Sequence, residues 1–267
     1  MRKNIAVAVS LGTLALTLGM VLHLGGLGVL PPRILRNLAQ VVAANAYNPW
    51  NETLTSYSLN AVAAAIWDYR GIDTIFETAV LFAAVTGVTA LFRGTVEKVG
   101  LGGRGMLFTL KTSTKIALLL IALVSVSLAL HGHLTPGGGF QAGSVFAVIV
   151  ALSITVFSIE ALYNAGLRTK SLMKARLVAL ALILFIALLP LAASLAINGV
   201  AYIAQNQAKE DSAFAMPAAF LNTPLAGSVF IFNVLELVAV AASLSYVLIL
   251  FAMRKEELEH ALKGGGK

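Results

Sequence analysis

Six apolar runs, at residues 4–29, 71–92, 115–133, 139–163, 175–200 and 226–253, divide this 267-residue chain into alternating oily and polar stretches. A helix of about 20 apolar residues matches the hydrocarbon thickness of a bilayer. Inside lipid, backbone N–H and C=O groups must be satisfied within the protein, so runs of this kind cross as helices. The chain therefore reads as an all-α integral membrane protein with about six transmembrane helices. With 58% hydrophobic and only 12% charged residues, it lies outside the range of soluble domains.

A formal charge of +7 would suit a nucleic-acid surface if it were clustered, but the basic residues lie between the apolar runs. Membrane topology accounts for them and no nucleic-acid partner is expected. With the amino terminus inside, Arg33, Arg36, Arg70 and Lys209 lie outside, and the other 15 of 19 lysines and arginines inside. The positive-inside rule then places both termini in the cytoplasm and the turn at 135–139 on the outer side. Met1-Arg2-Lys3 before the first run, with Ala44-Asn45-Ala46 downstream, has features of a signal peptide. The length of the run and the distance to that site favour an uncleaved helix. No cysteine is present, which excludes disulfides and thiolate-held iron–sulfur clusters. The chain is expected to bind no cofactor or metal of its own, so in any redox complex other subunits carry the electrons.

Residues 30–70 are only intermittently apolar and contain Pro31-Pro32, Asn48-Pro49-Trp50 and a weakly amphipathic piece at 58–69. They read as an external segment lying in the interface, with Trp50, Tyr57, Trp67 and Tyr69 at headgroup level. Asn51-Glu52-Thr53 matches a glycosylation sequon, a pattern short enough to arise by chance. The glycine-rich, basic stretch 93–114 reads as a cytoplasmic linker. It sets a boundary between a two-helix unit, 1–105, and a four-helix unit, 106–267.

The polar stretch between the third and fourth runs is His131-Gly132-His133-Leu134-Thr135-Pro136-Gly137-Gly138-Gly139-Phe140-Gln141-Ala142-Gly143. Pro136 lacks a donor and pushes its predecessor out of helical geometry, and three glycines follow, so the chain turns tightly here before a new helix. The free N–H groups at that helix head can favour an anion or face a buried carboxylate; the plain alternative is an inter-helix turn with no ligand. His131 and His133 cannot share a helix face, which argues against a metal site on a regular helix. Either can exchange protons at the outer surface or simply end a helix. Thr135-Pro136 followed by 142–146 is echoed by Thr223-Pro224 followed by 226–230, as a repeat of helix hairpins would give.

Carboxylates inside spans are expensive and usually line a bundle interior or a wet path. Arg70, Asp73 and Glu77 fall on one face of the second span. Arg70 and Asp73 suit a helix-capping ion pair, and Glu77, further in, suits a proton or sodium relay. Glu236 stands near the middle of the sixth span, with Asn233 one turn before and Ser243 two turns after it. It either transfers ions or remains a hydrogen-bonded structural residue. Lys115 and Glu160 sit near span ends, where snorkelling explains them. His23 and His260 have no partner pattern, and no nucleophile motif, phosphate loop or nucleotide fingerprint is present.

Thr135-Pro136-Gly137-Gly138-Gly139-Phe140-Gln141 at a helix start resembles the signature of the B subunit of Mrp-type sodium/proton antiporters, the MnhB family. The resemblance covers roughly residues 107–253. Gly143 fits the pattern, whereas Ala142 replaces a usual glycine and should weaken close helix packing. Tyr69-Arg70-Gly71-Ile72-Asp73-Thr74 with Glu77 resembles the two-helix E-type subunit of archaeal membrane-bound hydrogenases and the carboxy-terminal part of the large Mrp A subunit, Glu77 matching its acidic position. Together they imply a fusion of two neighbouring antiporter subunits. The implied protein is a non-catalytic membrane subunit of a cation/proton exchange module that moves Na+ and H+ among sister membrane subunits. An archaeal respiratory complex, a hydrogenase or a sulfur or sulfane reductase, is the preferred setting. A standalone multisubunit antiporter, a purely structural scaffold and an independent channel or carrier are the alternatives.

Overall fold

A computed structural model describes residues 2–24, 36–51, 53–92, 108–197, 199–204, 206, 212, 214 and 216–253. The chain forms two units, Met1–Val41 and Val42–Lys267. The first contains α1 (Arg2–His23), whose apolar stretch is Val9–His23, and α2 (Asn37–Ala46) begins within it. The expected boundary at 105/106, most of the 93–114 linker, Lys209, His260 and the basic carboxy terminus lie outside the described residues.

The second unit continues with α3 (Ala61–Ala64), which runs into a π-helical turn at Ala65–Tyr69, and then α4 (Gly71–Phe92), α5 (Phe108–Leu130), α6 (Gly139–Phe157), α7 (Ile159–Asn164), α8 (Thr169–Ala196) and α9 (Val229–Ala252). A two-residue hairpin, β1 (Ala219–Phe220) and β2 (Thr223–Pro224), precedes α9, with Ala219 opposite Pro224 and Phe220 opposite Thr223. Five described helices, α4, α5, α6, α8 and α9, are long and apolar enough to cross a bilayer, so this is a multi-pass membrane protein.

Helix α9 is the hub. Of its span, 56% is buried within the chain, against 17–33% for the other four, and it packs on α4, α5, α6 and α8. Lipid tails are as apolar as leucine, so helices associate through close packing of small residues. On α9 these are Ala239, Ala241, Ala242, Ser243 and Ser245, all buried. On α6 they recur every fourth residue as Gly139, Gly143 and Ala147. A Cβ added at Gly143 would lie 2.6 Å from Val240 Cβ and 2.9 Å from the Leu237 carbonyl, so the two backbones are in contact there. Ala142 does not weaken that seam. It is fully buried on another side of α6, where its carbonyl accepts a hydrogen bond from Ser125 Oγ of α5 at 2.8 Å.

Two apolar clusters bracket α9. One gathers Trp67, Ile75, Ile183, Ala187, Val229 and Phe232 at its head, the other Val85, Val150, Leu172, Tyr246, Ile249 and Leu250 toward its tail. The outer faces of α4, α5 and α8 expose large apolar residues such as Phe76, Leu119 and Phe185, as a lipid or subunit boundary requires.

Three sequence expectations change. The run 139–163 is not one helix: Ser158, at φ 99° and ψ 165°, breaks it into α6 and α7, its N–H reaching back to the carbonyls of Ser153 and Ile154. Helix α5 begins at Phe108, so residues 108–114 are helical instead of linker. Trp67 does not face lipid headgroups but is fully buried, stacked on Phe232 at 4.6 Å, whereas Trp50 is 92% exposed.

Arg176 is buried within the helix bundle. It is 1% exposed between α4, α8 and α9, with its guanidinium over the Phe82 ring at 4.2 Å and Nη2 donating to Thr86 Oγ1 at 2.9 Å. Among the described residues, Nε and Nη1 have no hydrogen-bond partner. Removing such a charge while keeping its volume relieves desolvation, whereas truncation leaves a hole. Arg176→Met should therefore unfold within about 1 kcal/mol of wild type or above it, and Arg176→Ala about 2–4 kcal/mol below the methionine variant. Thermal unfolding in detergent measures both.

Candidate functional site

The site forms where the α5–α6 turn meets the head of α9. Ser58 and Asn60 hold the turn. Ser58 Oγ donates to the His133 carbonyl at 2.7 Å, and Asn60 Nδ2 donates to the carbonyls of Gly132 (2.7 Å) and Thr135 (2.9 Å). Asn60 Oδ1 meanwhile caps α3 by accepting from Val62 and Ala63 N–H. Gly137 and Gly138 lie at φ 155° and 158°, a region closed to side-chain-bearing residues. A Cβ at Gly137 would sit 2.9 Å from the Leu128 carbonyl oxygen.

This turn delivers the head of α6 against α9. Gly139 N–H donates to Asn233 Oδ1 at 3.3 Å, and the Phe140 N–H donates to the Glu236 carboxylate. A Cβ at Gly139 would stand 2.7 Å from Glu236 Oε2 and 2.5 Å from Glu236 Cβ, so only glycine permits the approach. Asn233 Oδ1 also accepts from Trp67 Nε1 at 3.1 Å, and the two donors fix the orientation of the amide. Asn233 is fully buried and Glu236 is 5% exposed. Glu236 lies two turns inside the head of α9, nearer the middle of the helix than that end.

The carboxylate further along the neighbouring helix is Glu77 of α4, a helix that packs on α9, and it is exposed from this chain. Asp73, one turn earlier, is bound to Arg70 through Nη2 at 2.5 Å and Nε at 2.6 Å, both partners exposed. The stripe thus separates into an ion pair and an exposed carboxylate. Ser243, two turns beyond Glu236, is buried.

The histidines part company. His131 is exposed, with Nδ1 against the Ser127 carbonyl at 3.1 Å. His133 is 2% exposed, its Nε2 donating to the Pro224 carbonyl at 2.7 Å and its ring edge-on to Phe230. Among the described residues no cluster of His, Asp or Glu has the makings of a metal site. Burial pushes the His133 imidazole below its usual pKa, the bond to Pro224 opposes this, and His131 adds a smaller push downward. With the folded value depressed, the unfolded chain takes up the proton first as pH falls below about 6.5. Stability should therefore decline below that pH until the folded His133 also protonates. His133→Gln should flatten this decline in a pH series of thermal unfolding curves, and an unchanged slope would assign it to other groups.

The Thr-Pro echo is not a structural repeat. Residues 142–146 lie inside α6, whereas 226–228 form the turn before α9. That turn is capped by Asn206, whose Oδ1 accepts from Ser228 N–H at 2.5 Å and Val229 N–H at 3.2 Å. Asn60, Asn206 and Trp67 build the site without being expected to from the sequence. Asn60, three residues before a helical alanine pair, carries an N-cap signal; the other two have none.

A family profile described as a domain related to the MnhB subunit of the Na+/H+ antiporter matches residues 109–246, from α5 into α9. The chain belongs to the MnhB family. Its glycine turn and the α6–α9 seam lie within the matched region. A chain of the membrane-bound sulfane sulfur reductase, an archaeal respiratory membrane complex, has the same fold, with TM-score 0.64 at 23% identity over 94% of this chain and 99% of that one. A chain of the Mrp complex from Dietzia sp. superposes with TM-score 0.60 at 17% identity, over 93% of this MnhB-family chain and 26% of the other. An uncharacterized protein of Methanocaldococcus jannaschii is 32% identical over 123 residues, 39% of this chain and 47% of that protein. The chain thus spans about half the length of that relative.

Proposed function

We propose that this chain is a membrane subunit of an Mrp-type sodium/proton exchange module, embedded among other membrane subunits and handling ions through Glu236 and Glu77. One observation carries the reading: a buried carboxylate inside a transmembrane helix is met by the head of a second helix, and a third helix packed on the first carries a further carboxylate, Glu77. Ionisable groups in that setting are rarely retained for packing alone. Likeness over nearly the full length of a sulfane sulfur reductase chain, and over only a quarter of the Mrp chain, favours a respiratory complex over a standalone antiporter.

On this reading residues 1–105 form an E-like unit ahead of the B-like unit at 106–267, both termini are cytoplasmic and the 135–139 turn is external. Single cysteines at Gly94 and at the exposed Thr135, probed with an impermeant thiol reagent in right-side-out vesicles, should label at Thr135 alone. Labelling at Gly94 alone would invert the orientation. Isolation of the native complex should bring down antiporter-type membrane subunits with this chain. Full sodium/proton exchange by the chain alone in liposomes would overturn the subunit reading.

A further inference from the structure

We infer that Glu236 exchanges protons and does not ligate sodium. The inference rests on reading the α4–α6–α9 junction as an ion path and concerns which ion its buried carboxylate handles.

A sodium ion is held by oxygen lone pairs, several at once, as hard cations are. The surroundings of Glu236 offer mainly hydrogen-bond donors. Phe140 N–H already donates to the carboxylate. The amide oxygen of Asn233, one turn away, is engaged by Gly139 N–H and Trp67 Nε1–H, which leaves Nδ2, a donor without a partner among the described residues. Ser243 stands seven residues on, about 10 Å along the helix, too far to share an ion with Glu236.

Space argues the same way. A single methyl at Gly139 would come within 2.7 Å of Glu236 Oε2, so the α6 side of the carboxyl has no room for an ion and its ligand shell. A proton needs no such room. It binds one carboxylate oxygen, converting COO⁻ to COOH, and leaves to water or to a neighbouring carboxylate.

Of the helices packed on α9, α4 carries two carboxylates, Asp73 and Glu77. Asp73 of α4 is held by Arg70, and Asp68 and Tyr69 belong to the π-helical turn. Helix α6 carries no ionisable side chain, and Lys111, Lys115, Lys170, Lys174 and Arg176 lie on the first turns of α5 and α8. Those turns lie away from the head of α9, which meets the middle of α8 at Ile183 and Ala187 and the α5–α6 turn, whose His131 is bound to the Ser127 carbonyl and His133 to the Pro224 carbonyl. Glu77, exposed from this chain, is the carboxylate open to a hydrated ion or to ligands from another subunit.

Infrared difference spectroscopy of the assembled complex tests this. The C=O stretch of a protonated Glu236 is the band missing in Glu236→Gln and displaced in Glu236→Asp. It should appear and vanish with pH, with a midpoint unchanged when potassium is replaced by sodium. If sodium moves the midpoint, the effect should disappear in Glu77→Gln, which would place sodium at Glu77. Should sodium still move it in Glu77→Gln, by up to about one pH unit per tenfold sodium as direct competition requires, Glu236 is a sodium ligand and the inference fails. A band that does not titrate, or no Glu236 band at any pH, also overturns it. The reading of the junction as an ion path is tested separately by exchange. Normal exchange in Glu236→Gln defeats that reading, whereas lost exchange with persistent sodium competition defeats only the proton assignment.

Discussion

Alanine at Gly139 or Gly143 pushes α6 off α9 and lowers stability by roughly 1–3 kcal/mol at each position, the usual result of overfilling a packed interface. The expectation rests on what the new methyl meets. At Gly139 it meets Glu236 Cβ at 2.5 Å, and at Gly143 it meets Val240 Cβ at 2.6 Å, Ala241 N and the Leu237 carbonyl. Much of this is helix backbone or first side-chain carbon, which cannot rotate away, so relief requires moving a helix. Because Gly139 also sets the distance from the Phe140 N–H to Glu236, Gly139→Ala should lose exchange activity as well as stability. Gly143→Ala, one turn removed from the carboxylate, should lose mainly stability. Thermal unfolding and exchange assays on the purified complex separate the two, and unchanged unfolding in both variants would mean that the helices are not in the contact described.

The larger effect on function is expected from the carboxylates. Glu236→Gln keeps the shape and still accepts from Phe140 N–H, yet it removes the titrating group, so assembly should survive while exchange falls by about 10²-fold, the usual contribution of a positioned proton-transfer group. Glu77→Gln, exposed from this chain, should be structurally milder still and should also depress exchange. Glu77→Asp should fall between, because it keeps the charge on a shorter arm. If both glutamine variants assemble and exchange at the wild-type rate, the carboxylates are structural and the scaffold reading holds.

Much of this arrangement is legible in the sequence because it is local. The second run, 71–92, coincides with α4, and the Pro-Gly-Gly-Gly turn marks the start of α6 at Gly139, since both follow from apolar length and from residues with restricted or permissive backbones. The break at Ser158 is not legible, because α7 continues the apolar composition of α6 and the strain falls on a serine instead of a glycine or proline. Burial of Trp67 against Asn233 depends on residues 166 positions apart, which no window of sequence contains. Arg176 gives no sign of its burial in the sequence, for a related reason. Its neighbours Lys170 and Lys174 suggest a solvated basic stretch, and only the packing of α8 on Phe82 and Tyr246 turns it inward.

Proton flux in proteoliposomes bearing the native complex, compared among wild type, Glu77→Gln, Glu236→Gln and the double variant, tests most directly whether the two carboxylates serve one path. The account predicts that the double variant is no slower than the slower single variant, because a path already interrupted at one carboxylate loses nothing further at the other. Losses that multiply in the double variant, or a wild-type rate in either single variant, would contradict it.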